Sequence, residues 1–596
     1  MPHFFFMPRL LSHLFAILLA LVLSGGDARA AKVARTGADL FPSTTVIYAE
    51  LGQSADVIRF VMDSPLRKNL EATEIYPYLV GNEEYQGFLT ILGAIETQAG
   101  MKWRSTLEAI TAGGVYLGVD SETEGLAVLL KADDAGTLDK AVQTLIGLTR
   151  DDAKSKGNPD PLPSQLHREV EVYKAGEGGF AVVDQWLIFV NKGDLGKAIL
   201  DNLLDANEQT LSANKDFRTA RKSAAKGKSL WAYTDLNAIR SAGIAEALFT
   251  GKTENPGAEL LFGGIAEALK DTPHVTGTLD FADEGAVLTL SVPMDSAAAS
   301  ESRSFFFGPK GKGAAEKPIL PRGTLLSIST YRDLSAMWLA ADDLFNENQA
   351  AKLAQSETTL GLFFNGKDFG KEVLGQLAPQ VQLVVARQDF KAADGPIPAV
   401  KYPAGALVFH TKEPETMQRY LRLAFQTVVG FINIQGTQQG RSPFELNNSK
   451  QGDATVISAD YFLSDEEKKE TDAAVHHNFS PAIAQVGDYF VLSSARQLAS
   501  SLIEALAKRP KPESLDVNTR FHLDAKELAV ILDDNKGQLI ASNQLKKGQT
   551  EDEAAGEITV LLTLVDMFRD ASLELKTGNG QLGLNFSIGV AAATSK

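Results

Sequence analysis

Cysteine is missing from all 596 residues of the chain. Its absence excludes a disulfide framework, a thiolate nucleophile, an iron–sulfur cluster and any Cys-ligated zinc, so stability has to come from packing and hydrogen bonding. Positive charge is also short. The 58 Lys and Arg face 75 Asp and Glu, a net charge of −17, and no stretch concentrates the Lys and Arg that phosphate-backbone binding needs, so no nucleic-acid partner is expected. After the first thirty residues no apolar run approaches the roughly twenty residues that cross a bilayer. What is present is 44% hydrophobic residues, a folded composition with enough chain for several cores.

The first thirty residues differ from the rest. Arg9 precedes an apolar run from Leu14 to Leu23, Ser24-Gly25-Gly26 breaks it, and Ala28-Arg29-Ala30 follows. That is the layout of a secretory signal peptide, with cleavage expected after Ala30 and the mature protein in the periplasm or outside the cell. The alternative, an uncleaved anchor lengthened by Phe4 to Phe6, is opposed by the shortness of the run.

Self-comparison is the most informative reading of the remainder. Leu40-Phe41-Pro42-Ser43-Thr44-Thr45 opens a strand-like run, and Ile319-Leu320-Pro321-Arg322-Gly323-Thr324 opens another. A helical pattern follows each, at Asp56 to Val61 and at Leu334 to Leu339. Further pairs come in the same order: Val115–Val119 with Val381–Val385, Gly125–Leu130 with Gly405–His410, Val183–Phe189 with Val486–Leu492, and the final hairpins around Asp283-Glu284-Gly285 and Asn579-Gly580. The offset drifts from 279 to 280, 303 and 295, as it does when loops change length between fixed strands. These pairs predict a tandem duplication of two similar α+β domains, 35–298 and 318–596, each a mostly antiparallel sheet with helices packed on one face. The Gly308-Pro309-Lys310-Gly311-Lys312-Gly313 stretch predicts a linker over 299–317.

The Leu-Phe-Pro-x-x-Thr opening and the helix-to-strand passages Leu107 to Val119 and Val373 to Val385 resemble the exported bacterial family called Domain of Unknown Function 3352. Where that family's pattern places Gly-Gly before the strand, the first copy has Gly113-Gly114 and the second Pro379-Gln380. The resemblance implies an envelope protein with no assigned reaction and no catalytic residues.

Each chemical signal has a plainer reading beside it. Ser223-Ala224-Ala225-Lys226 with Lys576-Thr577-Gly578 is similar to the Ser-x-x-Lys and Lys-Thr-Gly elements of penicillin-binding enzymes, but the nearby Ser-x-Asn, Ser212-Ala213-Asn214, precedes the serine instead of following it. His476-His477 is the lone histidine cluster. Neighbours on a strand point apart, so a solvated loop is expected and no metal site. Asp120-Ser121-Glu122-Thr123-Glu124-Gly125 starts like a calcium loop but has Lys131 where the bidentate Glu belongs, so it reads as a charged hairpin turn. Trp103, Trp186, Trp231 and Trp338 lie in periodic segments and are expected in cores. The expectation is therefore a non-catalytic, cofactor-free envelope protein acting by protein or surface interaction. The alternatives are a periplasmic carrier of an apolar or lipid-like ligand and, third, a Ser-x-x-Lys serine hydrolase.

Overall fold

The structure, a computed structural model, describes residues 35–592 apart from 53, 74–75, 83–84, 88, 91–92, 94–95, 98–99, 101, 206–208, 225–226, 247–248, 250–251, 283, 392–394, 439–441 and 510–511. The expected leader, 1–30, lies outside the described residues, as does Lys226. Helices alternate with antiparallel hairpins throughout, so the chain is of the α+β class. It groups into two compact units, one running to Ala245 with Thr272–Val292 and the residues from Val590, the other Glu246–Asp271 with Pro293–Gly589.

The strands of the first unit are β1 (Thr45–Leu51), β2 (Val115–Asp120), β3 (Gly125–Lys131), β4 (Ser164–His167), β5 (Val170–Ala175), β6 (Gly178–Val183), β7 (Trp186–Val190), β8 (Leu230–Asp235), β9 (His274–Ala282) and β10 (Gly285–Pro293). Their neighbour order is β4-β5-β6-β7-β3-β2-β1-β8-β9-β10, every pair antiparallel. A register shift sets Val46 aside between Thr45 and Ile47 on β1, the one-residue insertion of a β-bulge.

Apolar residues are buried on both faces of this sheet. Leu129 and Ile188 join Phe41, Tyr48, Leu195 and Trp231 in one core. Val128, Leu130 and Leu187 join Leu138, Val142 and Ile146 in the other. Helices were expected on one face alone; the unbroken apolar run Leu126 to Leu130 requires cover on both, because successive strand side chains point to opposite sides. The helix Ala135–Ser155 supplies part of that cover. Asp134 caps it by accepting from the Thr137 N–H at 2.7 Å, its i, i+4 apolar row Leu138, Val142, Ile146 faces the sheet, and Gly157, at φ 69°, follows its end.

The second unit holds β11 (Thr324–Tyr331), β12 (Leu377–Ala386), β13 (Ile397–Pro398), β14 (Ala404–Thr411), β15 (Phe444–Gln451), β16 (Ala454–Tyr461), β17 (Thr471–Ala473), β18 (Ala482–Val486), β19 (Tyr489–Ser493), β20 (Thr519–Asp524), β21 (Phe568–Gly578) and β22 (Gln581–Val590). The antiparallel order is β15-β16-β18-β19-β14-β12-β11-β20-β21, with β22 following β21 across Asn579-Gly580; β13 and β17 form a separate parallel pair. A register shift sets Leu325 aside between Thr324 and Leu326. The helix Arg496–Ala507 buries Leu498 and Leu502 with Val408 and Val456, and the helix Pro414–Gln438 buries Phe425 and Val429 with Ile457 and Phe490.

The stretch expected as a linker is folded. Phe305, Phe306 and Phe307 are buried in a short helix, Ser304–Phe307. The boundary at 298 also moves, because the helix Pro256–Asp271 belongs to the second unit. Arg303 holds it there, its Nε 2.7 Å from Glu259 Oε1 and its Nη1 donating to the Gly263 carbonyl at 2.8 Å. Gly264 permits the approach, since a Cβ on it would lie 2.3 Å from the Phe306 ring.

Candidate binding sites beside the outer strands

The residues that the sequence singled out for chemistry are occupied elsewhere. Ser223 ends the helix Lys215–Ser223, exposed, with its hydroxyl donating to the Thr219 carbonyl at 3.4 Å. Lys576 is paired with Asp516. Asp120 is buried, and its carboxylate accepts from the Thr44 hydroxyl at 2.5 Å and from the Thr123 N–H and hydroxyl at 2.9 and 2.8 Å, which closes the β2–β3 turn. Trp186 and Trp231 are core residues, whereas Trp338 donates its indole N–H to Glu357 at 2.5 Å.

His476 and His477 do not point apart. They sit on a single 3-10 turn, Val475–Asn478, with ring centroids 4.1 Å apart and both against Tyr461. A tight turn brings successive side chains closer together than a strand does. Burial, and then the neighbouring His476, lowers the His477 pKa from 6.5. Among the described residues, no group of three or more His, Asp or Glu is placed to hold a metal ion.

One titratable cluster escaped the sequence. Glu316, buried, lies with Oε1 2.7 Å from His410 Nε2, while Oε2 accepts from the Tyr489 phenol at 3.2 Å and the Gln382 amide at 3.4 Å. Arg509 Nη2 lies 3.9 Å from the same oxygen. Burial, and then the Glu316 charge, pushes the Tyr489 phenol up to about 12. Glu316, His410, Tyr489 and Arg509 come from four distant stretches of sequence, so no spacing motif could have found them. Ser329 donates to the Glu316 carbonyl at 2.6 Å and Gln382 accepts from the Ile319 N–H at 2.9 Å. The cluster therefore ties the approach to β11 onto the sheet, and its acceptor oxygens are used in doing so.

Open space lies against the sheet of each unit. In the first, a cavity of about 70 Å³ runs between the helices Trp103–Thr111 and Ala135–Ser155 and the strands β3, β6 and β7; Leu107, Leu145, Ile146, Phe180 and Phe189 are among its nearly all apolar walls. In the second, a cleft of about 330 Å³ lies between the first turns of Pro414–Gln438 and strands β15, β16, β18 and β19. Ile457, Ile483 and Phe490 supply apolar surface, and Arg419, Arg422 and Lys450 bring three positive charges with no carboxylate in the lining. A third space, about 290 Å³ in the first unit, contains Arg218, Arg221 and Lys222, but Glu50 meets Arg221 there at 2.5 Å.

No protein-family model and no curated protein matches the chain. Among solved structures, crystal form III of TP0453 aligns at 8% identity and a TM-score of 0.23, covering 44% of this chain and 81% of that one. Crystal form IV aligns at 7% identity with the same score, covering 43% and 80%. At such scores the likeness carries no weight for fold or function.

Proposed function

We propose that the chain is an exported, non-catalytic protein of the cell envelope that acts by protein or surface interaction, built from one α+β unit duplicated in tandem. Membership of Domain of Unknown Function 3352 belongs to the same proposal. The duplication is supported by strand order: outward from β1 through β2, β3, β7, β6, β5 and β4 and from β11 through β12, β14, β19, β18, β16 and β15, the antiparallel neighbours come in the same succession, and β8 and β9 answer β20 and β21 on the other side. The bulges at Val46 and Leu325 fall at the same step. Bulges tend to be kept within families.

The observation that carries the binding reading is the pairing of space with chemistry. Each unit has an open space between its long helix and its sheet, whereas the Ser223 hydroxyl donates to its own helix and Lys576, Asp120 and Glu316 are spent on structural bonds. A nucleophile needs a positioned base and an oxyanion donor around one reacting atom. The test is to treat the full chain from its host with a fluorescent fluorophosphonate and a fluorescent β-lactam. We expect no labelling; labelling that disappears in Ser223→Ala would overturn the reading in favour of the hydrolase.

The apolar cavity favours a second reading, a carrier of an apolar ligand. About 70 Å³ is below the roughly 150 Å³ that encloses benzene in an engineered cavity, so a carried acyl chain requires the Ala135–Ser155 helix to move off the sheet. Native mass spectrometry of protein from its host separates the two: a co-purifying lipid supports the carrier, and a bare chain mass supports interaction.

A further inference from the structure

We infer that the cleft of the second unit binds an oxyanion, a phosphate ester or the phosphate of a lipid headgroup, that carries a hydroxyl beside the charge. This deepens the binding reading and rests on it. Arg419 and Arg422 stand three residues apart on the helix Pro414–Gln438, a spacing that puts both on one helix surface. Lys450 comes from β15 across the cleft, in the row Lys450–Thr455–Gln485–Phe490 that crosses four strands. The side chains of Arg419, Arg422 and Lys450 make no ion pair or hydrogen bond among the described residues.

That cluster sits on a chain of net charge −17. Three convergent, unneutralised cations over a low-dielectric floor of Ile457 and Phe490 raise the local concentration of anions, and guanidinium forks suit phosphate oxygens. Gln485 adds the second half of the recognition. Its Nε2 donates to the Gly487 carbonyl at 3.2 Å, but its Oε1 is shut from solvent with no donor. A buried acceptor left unpaired costs free energy that a ligand hydroxyl can recover. A hydroxyl-bearing phosphate such as glycerol phosphate answers both needs; inorganic phosphate answers the charge chiefly.

The test uses the full chain at low salt. Binding of glycerol 3-phosphate and of inorganic phosphate is measured by titration calorimetry, and binding to vesicles of phosphatidylcholine with or without phosphatidylglycerol by sedimentation. The variant Arg419→Gln/Arg422→Gln/Lys450→Gln should weaken binding by about tenfold or more. A charge-matched control at exposed lysines, Lys352→Gln/Lys508→Gln/Lys526→Gln, should leave it unchanged, with circular dichroism verifying the fold of both. Gln485→Leu should abolish the preference for glycerol 3-phosphate over inorganic phosphate. Binding of the free ester assigns the source as a soluble phosphate; binding confined to phosphatidylglycerol vesicles assigns it as a headgroup. No binding to either, or equal losses in the variant and the control, overturns the inference and leaves the non-catalytic reading standing. Release of inorganic phosphate from the bound ester would instead overturn the non-catalytic reading and leave the cleft standing.

Discussion

Arg332 is fully buried, its guanidinium 3.5 Å from the Phe306 ring centroid, donating to the Tyr331 carbonyl at 2.5 Å, Asn518 Oδ1 at 2.8 Å and the Thr519 hydroxyl at 3.0 Å. Burial pulls its pKa down to about 9, with Glu259 acting in the opposite sense; the partners are what make such a buried charge tolerable. His274 shows the same physics with fewer partners. It is buried, its Nδ1 has none, and burial lowers its pKa from 6.5 although Asp216 and Asp235 pull the other way. The folded chain therefore takes up this proton at lower pH than the unfolded chain does. Stability is free of the penalty above about pH 6.5 and falls as pH drops below it, because the unfolded state then binds more protons. Denaturant unfolding at pH 7.5 and pH 5 should show a smaller difference for His274→Phe than for the wild type. An unchanged difference would mean that His274 charges freely in the folded state.

At the scale of elements, local signals work where they are strong. Asp235 ends β8 and accepts from the Ala238 N–H at 2.9 Å; Asp524 ends β20 and accepts from the Glu527 N–H at 3.0 Å. Each caps the helix that follows, and Asp235→Ala and Asp524→Ala should each cost about 1 kcal/mol in equilibrium unfolding; values near zero would mean the caps are replaced by water. The Asn579-Gly580 turn has φ of 53° and 71°, the left-handed pair that the sequence signal implies. The long helices were legible for the same reason, since Leu138, Val142 and Ile146 mark one face between an Asp cap and a Gly stop. Composition misled at Gly308 to Gly313, where glycine and lysine hid the burial of Phe305 to Phe307. The Glu316 cluster and the cationic cleft were not legible, because their residues meet only through the sheet.

On the scale of the whole molecule, the chain carries a net charge of −17, and among the described residues no helix is long and apolar enough to cross a membrane. The helices Ala135–Ser155 and Pro414–Gln438 border an apolar cavity and a cationic cleft, respectively. The proposed duplication requires the outermost hairpins of the two units to keep corresponding registers. A cysteine-free chain allows it to be tested directly. Leu166 lies opposite Glu171 on the outermost hairpin of the first unit, and Lys450 opposite Thr455 on that of the second. Facing residues on antiparallel strands are close enough for a disulfide. The pairs Leu166→Cys/Glu171→Cys and Lys450→Cys/Thr455→Cys, made separately in the full chain and oxidised, should each close a disulfide seen by mass spectrometry, while pairs shifted by one residue, Leu166→Cys/Val170→Cys and Lys450→Cys/Ala454→Cys, should not. Closure of one matched pair and of the other hairpin's shifted pair would contradict the account.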